Sequence, residues 1–391
     1  MRIGLNAINF FPGRMGGIEI YFRNLLHHMQ LVDGKNRYTL ICLKPNSGEF
    51  SLMNPAFLLK EYNYGRHSLG WLVRGALGKT ARFDILAPSV NRLSLDLIHH
   101  PFTTAKPAGL KFPAVLTFHD MQHEFYPEFF TDRELRDRVA TYRSSAESAV
   151  RIIAISEHTK QTLIDVYGID AGKIDVVYNG CGPEFRVIDD ESELAEARGK
   201  YGLYRPYLFY PAATWPHKNH KGLFTALRLL KERDGYDGEL VLTGIAQARN
   251  AEILGEIERS GLTGDVRILG HIPNRELPFL YNLADMLVFP SLFEGFGIPL
   301  VEAMACGCPV VCANVTSIPE VVGAAGVFFD PSSPEDMAEK IRSVRGSPDK
   351  ADRMRAAGFE RVKSFTWENA ARKTVEVYIK ALETAGGKQG K

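Results

Sequence analysis

The stretch Phe289-Pro-Ser-Leu-Phe-Glu-Gly-Phe-Gly-Ile-Pro-Leu-Val-Glu-Ala-Met-Ala-Cys-Gly-Cys-Pro-Val-Val311 holds the key to the fold. An apolar run ending at Phe289 turns through two glycines and continues with the apolar spacing of a helix. Gly295 and Gly297 let backbone amides approach a ligand, and Pro299 suits the first turn of a helix, where its missing N–H costs nothing. The free N–H groups and dipole of such a helix start favour an anion. A buried strand passing through a glycine turn into a helix is the repeating unit of a parallel sheet wrapped by helices.

The same alternation runs along the whole chain and predicts an α/β protein. Strands are expected at Ile3 to Asn6, Tyr38 to Leu43, Leu97 to His99, Ala114 to Phe118, Ile152 to Ile155 and Ile174 to Tyr178. A second series follows at Tyr207 to Tyr210, Leu240 to Thr243, Val266 to Leu269, Met286 to Phe289, Val310 to Cys312 and Val327 to Phe329. No landmark is recognised from about 46 to 95, and no strand is assigned there. A chain of 391 residues exceeds one ordinary core, so two domains are expected. Lys200 to Pro206 reads as the connector, which puts a first domain at 1–195, a second at 200–364 and a C-terminal helix at 365–391, with Thr366 as its cap. Open parallel sheets bind ligands beyond the carboxyl ends of their strands, so function is expected on those loops, in a cleft between two facing sheets.

Composition narrows the class. Lys plus Arg (47) balance Asp plus Glu (46), so no global field favours nucleic acid, and an anion site must be local. Apolar residues at 45% and charged residues at 24% exclude a disordered or fibrous chain. The opening MRIGLNAINFF enters a β-like run with no cleavable leader, and no 18-residue apolar run occurs, which predicts a cytoplasmic location. Five cysteines do not read as a disulfide framework, and Cys306, Cys308 and Cys312 lack zinc-ligand spacing, so no metal is expected.

Glu294 lies in the glycine turn and Glu302 in the helix that follows. Glycosidases hold two carboxyl groups about 5 to 9.5 Å apart across one bond, whereas one acid in a turn and one along a helix reach different parts of an extended ligand. The pair, the seven residues between them, and the surrounding Phe-Glu-Gly-Phe-Gly, Pro-Leu-Val-Glu-Ala and Gly-Cys-Pro-Val-Val resemble glycosyltransferase family 4. That resemblance implies the GT-B fold, two Rossmann-like doubly wound domains facing a central cleft. It also implies that Glu294 binds hydroxyls of a donor sugar and that Gly295, Phe296, Gly297 and Ile298 offer amides to sugar and phosphate. Glu302 would then take the ribose hydroxyls; an ionised carboxylate accepts several such donors in charge-assisted bonds.

Other loops complete the expected site. Tyr210-Pro-Ala-Ala-Thr-Trp-Pro-His-Lys-Asn-His-Lys-Gly222 follows the first strand of the second domain and carries Lys218, a cation suited to the leaving diphosphate. Many family members also have an arginine where this chain has Ala212; Thr214, His217, Asn219 or Arg249 could replace it. Gly16 and Gly17 precede a helix and expose amides, a weak pattern alone that the resemblance places on donor phosphate or sugar. His119, at a strand end in Leu116-Thr-Phe-His-Asp-Met-Gln-His123, matches a family histidine beside the donor sugar, and the first βα turn lacks a dinucleotide fingerprint. Asp120 either orients His119 or caps the next turn, His123 is a weaker candidate, and Ser156 reads as a helix cap. Leu269, Gly270, His271 and Ile272 are assigned to the nucleobase region. Gly65 to Arg82 mixes apolar and basic residues, reading either as a segment that dips into the inner membrane's anionic surface or as a buried helix with basic edges.

The resemblance implies a retaining, metal-independent transferase with no cofactor beyond its nucleotide-sugar co-substrate. GDP-mannose is the expected donor and UDP-glucose or another UDP-sugar the alternative. The expected acceptor is a glycan or lipid-linked oligosaccharide of polysaccharide or lipopolysaccharide synthesis. A sugar-nucleotide epimerase or a binding protein of the same shape would differ in releasing a new sugar without acceptor, or in binding without turnover.

Overall fold

The computed structural model describes residues 1–63, 84, 86–244 and 250–387. The chain divides into two compact units, Met1–Asn179 with Trp367–Lys391, and Gly180–Thr366. In the first unit β1 (Arg2–Ala7), β2 (Arg37–Leu43), β3 (Phe57–Tyr62), β4 (Leu97–His100), β5 (Ala114–Phe118), β6 (Arg151–Ala154) and β7 (Ile174–Val176) form one sheet. Their order is β3-β2-β1-β4-β5-β6-β7, and every pairing is parallel. The second unit holds β8 (Tyr207–Pro211), β9 (Glu239–Thr243), β10 (Val266–Ile268), β11 (Met286–Phe289), β12 (Val310–Ala313) and β13 (Gly326–Phe329). They lie parallel in the order β10-β9-β8-β11-β12-β13.

A parallel sheet covered by helices on both faces leaves no wet side, so its strands are continuous apolar runs. Tyr207 to Tyr210 and Met286 to Phe289 are buried throughout. Both sheets begin in the middle, run two strands outward, then return to the other side of the first strand. That reversal falls between β1 and β4 and between β8 and β11. Connections leaving the two strands go to opposite faces, and a crevice opens at their carboxyl ends.

All twelve strands expected from the sequence are present, and β3 is one more. It is an edge strand whose Leu58 and Leu59 are exposed, while Phe57 and Tyr62 alone are buried. Leu-Leu followed by Lys-Glu has no period of two, so only its register with β2 and the stacking of Phe57 on Tyr38, centroids 4.2 Å apart, reveal it. The segment Gly65 to Arg82 and Arg249 lie outside the described residues.

Residues 180–199 count with the second unit, whereas sequence spacing put the connector at Lys200 to Pro206. Helix Glu191–Tyr201 buries only Leu194 and Ala197, so its pattern says little about where it docks. The preceding chain is held by Asn282, whose Oδ1 accepts from Ile188 N (2.9 Å) and whose Nδ2 donates to Arg186 O (2.9 Å). The C-terminal helix Trp367–Gly387 belongs with the first unit and packs on helix Gly17–Val32. Its buried residues Trp367, Ala370, Ala371, Thr374, Val377, Tyr378 and Ala381 recur every three or four positions and form one stripe.

Candidate active site

In the second unit β11 pairs directly with β8, Leu208 against Met286 and Phe209 against Leu287. The loops leaving these strands therefore rise side by side at the point of reversal. This brings together Lys218 and Glu294, which are far apart in sequence: Lys218 Nζ donates to Glu294 Oε1 at 2.6 Å, with the side chains 17% and 12% exposed. A half-sequestered ion pair of this kind holds two opposite charges ready for exchange with a ligand that offers both hydroxyls and phosphates. Among the described residues no protein group bonds the other carboxylate oxygen of Glu294.

The pair stands on a built frame. Buried Tyr210, on β8, donates its hydroxyl to Lys218 O (2.9 Å), and Ser291 Oγ lies 3.1 Å from the same hydroxyl. Tyr210 has one proton, so Ser291 supplies the second bond. Lys218 Nζ also sits 5.8 Å from the centroid of the Phe289 ring. Asn219 is left-handed at φ 54°, and its Nδ2 is committed to Pro290 O (3.2 Å) and Pro331 O (2.9 Å) while Oδ1 accepts from Gly222 N (3.3 Å). Asn219 thus caps helix His220–Asp234 and does not replace the missing arginine. His220, the first residue of that helix, is buried beside Lys218, and its pKa falls to about 4, mainly through burial.

Glu294 is fixed at its main chain by the loop after β12. Thr316 Oγ1 accepts from Glu294 N (3.2 Å), and Ser317 Oγ donates to Glu294 O (3.0 Å). Thr316 holds a left-handed φ of 53°, unusual for a β-branched residue. Gly297 adopts φ 94°, and a Cβ there would lie 2.7 Å from Leu300 Cδ1. It precedes helix Ile298–Ala305, which no side chain caps; Pro299 has no N–H and Leu300 N donates to Gly297 O (3.0 Å), so of the first three residues only the Ile298 amide is left for a ligand. Gly295, Phe296 and Ile298 are buried around this turn, and Phe296 packs edge-on against Phe365 with centroids 5.5 Å apart.

Glu302 lies in the same helix, 5% exposed, and accepts from the Tyr281 hydroxyl at 2.7 Å. Burial lifts its carboxyl to about 7 against the opposing effect of that bond, with the nearby Glu184 charge pushing the same way as burial. Leu269 and Gly270 follow β10; Leu269 N donates to Leu242 O (2.9 Å), and Gly270 O accepts from Gly244 N (2.8 Å). His271 is exposed and Ile272 buried. Gly244, at φ 136°, lies so close to Ala212 that a Cβ would come within 2.7 Å of the Ala212 carbonyl oxygen. The loops after β8, β9 and β10 therefore form one rim, with half-buried Thr214 on it.

In the first unit the ends of β1, β4 and β5 carry the remaining residues. Helix Gly17–Val32 starts after Gly16 (φ 54°, ψ −128°) with no side-chain cap, and both glycines are exposed. A Cβ at Gly16 would meet nothing, so the backbone angle and not space requires glycine there. His119 is 4% exposed, and its Nε2 lies 2.8 Å from Pro101 O. A carbonyl only accepts, so Nε2 carries the proton; burial lowers the ring's pKa to about 4 and leaves Nδ1 with a lone pair. Among the described residues Nδ1 has no hydrogen-bond partner. His119 can accept a bond from a sugar hydroxyl there.

Asp120 accepts from Gln122 N (3.2 Å) and caps the turn. His123 is a core histidine, buried and 3.2 Å from the Tyr167 hydroxyl. Ser156 caps its helix through Thr159 N (3.0 Å). Sequence reasoning missed Tyr210, Tyr281, Thr316 and Ser317, because a tyrosine at apolar spacing reads as core and a loop threonine carries no signal.

Cys306, Cys308 and Cys312 are buried free thiols, and no group of three potential metal ligands occurs among the described residues. Among those residues no helix is long and apolar enough to cross a membrane. Residues 195–361 match the family described as Glycosyl transferases group 1, and residues 15–185 match Glycosyltransferase Family 4. O-antigen chain mannosyltransferase B of Escherichia coli is 32% identical over 72% of this chain and 74% of its own length. Serotype-specific mannosyltransferase WbdA of Escherichia coli is 29% identical over 73% of this chain, a match that spans 36% of that longer protein. The structure of Anabaena Alr3699/HepE in complex with UDP and glucose superposes with a TM-score of 0.76 at 22% identity, covering 97% of this chain and 100% of that one.

Proposed function

The chain belongs to the glycosyltransferases of group 1 and family 4, and from that premise we propose that it transfers mannose from GDP-mannose to a glycan or lipid-linked oligosaccharide in O-antigen-type polysaccharide synthesis. The mannosyltransferase names of its relatives support the donor and the pathway. A UDP-sugar donor is the second reading, favoured by the UDP and glucose bound to HepE. The observation that carries a transferase site is the Lys218–Glu294 pair at the strand reversal, beside an uncapped helix start.

On binding, the donor's diphosphate takes Lys218 and the Ile298 amide, while a sugar hydroxyl takes Glu294 in place of the lysine. Glu302 receives the ribose hydroxyls. In the first unit, taken by itself, His119 offers Nδ1 to a sugar hydroxyl. As the bond from the anomeric carbon to phosphate oxygen breaks, charge grows on the leaving diphosphate, where a fixed ammonium and fixed amide dipoles stabilise it most. The acceptor hydroxyl attacks from the face the diphosphate leaves, its proton passes to a phosphate oxygen, and the anomeric configuration is retained. No protein nucleophile and no metal ion takes part.

The test is a panel of GDP- and UDP-sugars, read by calorimetry for binding and by product release with and without an oligomannose acceptor. GDP-mannose is expected to bind best and to turn over faster with acceptor. Tighter binding of a UDP-sugar selects the second reading; binding without turnover on any acceptor, or release of a new sugar without one, rejects both. Unchanged turnover in both Glu294→Gln and Lys218→Ala removes these two residues from the mechanism.

A further inference from the structure

A line of buried side chains runs beneath His119 in the first unit. The Tyr21 hydroxyl lies 2.8 Å from Thr117 Oγ1, Thr117 Oγ1 lies 2.8 Å from His99 Nε2, and His99 Nδ1 lies 2.7 Å from the Tyr378 hydroxyl. Tyr378 OH reaches Met29 Sδ at 4.0 Å. All five side chains are 2% exposed or less. Buried polar protons need acceptors, and a count of them sets the direction of the line. If Tyr378 donated to His99, then His99 would donate to Thr117 and Thr117 to Tyr21, and the Tyr21 proton would end in the core with no acceptor among the described residues. In the opposite sense Tyr21 donates to Thr117, Thr117 to His99 Nε2, His99 Nδ1–H to Tyr378, and Tyr378 to the Met29 sulfur, so every proton is used. His99 then carries its proton on Nδ1 and His119 on Nε2, two neutral rings of opposite tautomer.

Tyr21 is where this line meets the candidate site. Its ring stands nearly perpendicular to the His119 ring, centroids 4.9 Å apart at 81°, and the Trp367 ring lies 6.2 Å from it. It lies in the second turn of the helix that begins at Gly17. Thr117, which pins the Tyr21 hydroxyl, is two residues before His119. We propose that Tyr21, Thr117, His99 and Tyr378 are positioning residues that set the plane of the His119 ring, and with it the direction of the Nδ1 lone pair. The inference rests on the reading of His119 as a sugar-contacting residue. It gives the C-terminal helix, through Tyr378, a hand in the chemistry as well as in packing.

The test uses full-length protein labelled with 15N-histidine, with ring resonances and steady-state transfer kinetics measured on the same samples. Wild type is expected to show His99 protonated at Nδ1 and His119 at Nε2. Tyr378→Phe removes the acceptor for His99, and is expected to shift the His119 resonances and lower kcat about tenfold with the donor KM unchanged. Thr117→Val is expected to do the same, and Thr117→Ser, which keeps the hydroxyl, to restore both. Lys380→Gln, on the same helix but lost only from a surface ion pair with Asp175, is expected to change neither. The proposal is overturned if Tyr378→Phe and Thr117→Val perturb His99 alone and leave the His119 resonances and kcat at wild-type values. Wild-type turnover in His119→Ala would remove the reading beneath the proposal, an outcome separable from the resonances.

Discussion

Burial at 5% exposure lifts the Glu302 carboxyl from 4.5 to about 7. The folded chain then holds that proton more tightly than the unfolded chain, so stability is full below about 4.5, falls as pH rises toward 7, and stays lower above it, by about 3 kcal/mol at most. Glu302→Gln keeps an acceptor for Tyr281 without the charge. Urea unfolding is expected to show this variant more stable than wild type at pH 8 and equal to it at pH 4.5; equal stability at both would reject the assignment. A nucleotide that bonds the ionised carboxylate should release a proton on binding near neutrality and bind more tightly toward pH 8. Calorimetry in buffers of different ionisation enthalpy checks this, and Glu302→Gln should abolish the release. Lys218→Ala is expected to cost about 10²-fold or more in kcat, as loss of a group that stabilises developing charge does. Lys218 and Glu294 were legible as separate residues; that they pair at 2.6 Å was not, because pairing depends on which strands are neighbours.

At the scale of the element, the two loops of the site are held in left-handed backbone shapes that glycine and asparagine adopt and most other residues do not. Gly297 at φ 94° and Asn219 at φ 54° each occupy the left-handed region at the start of a helix. Gly297→Ala is expected to destabilise by about 1–3 kcal/mol and to weaken donor binding as the Ile298 amide moves. Asn219→Ala loses three hydrogen bonds, one of them the helix cap, and is expected to cost about 2 kcal/mol while leaving the pH dependence of Glu302 intact; denaturant titration reads both. Strands were legible because a sheet buried on both faces demands continuous apolar runs, which stand out in sequence. β3 was not, since an edge strand with Leu58 and Leu59 exposed obeys no such demand. The helix starting at Ile298 was legible from Gly297 and Pro299, residues whose backbone chemistry is local.

At the scale of the whole molecule, the chain leaves its first unit at Asn179 and returns to it at Trp367. The first unit is therefore incomplete until the last helix is made. Deleting residues 367–391 removes the stripe from Trp367 to Ala381 and the partner of His99. Scanning calorimetry is expected to show the first unit's transition lost or moved well down in temperature, with that of Gly180–Thr366 retained; a single unshifted transition would argue against the division. From its residues alone the chain declared α/β architecture, the positions of twelve of its strands and the family of its glycine turn, since these follow from local periodicity, backbone preference and short-range spacing. Only the tertiary structure decided that Lys218 is bonded to Glu294, that Asn219 is a cap, that Glu302 is buried against Tyr281, and that Tyr378 sits under His99. These depend on strand neighbours and on burial, which bring together residues up to 279 positions apart, and no local pattern encodes such distances.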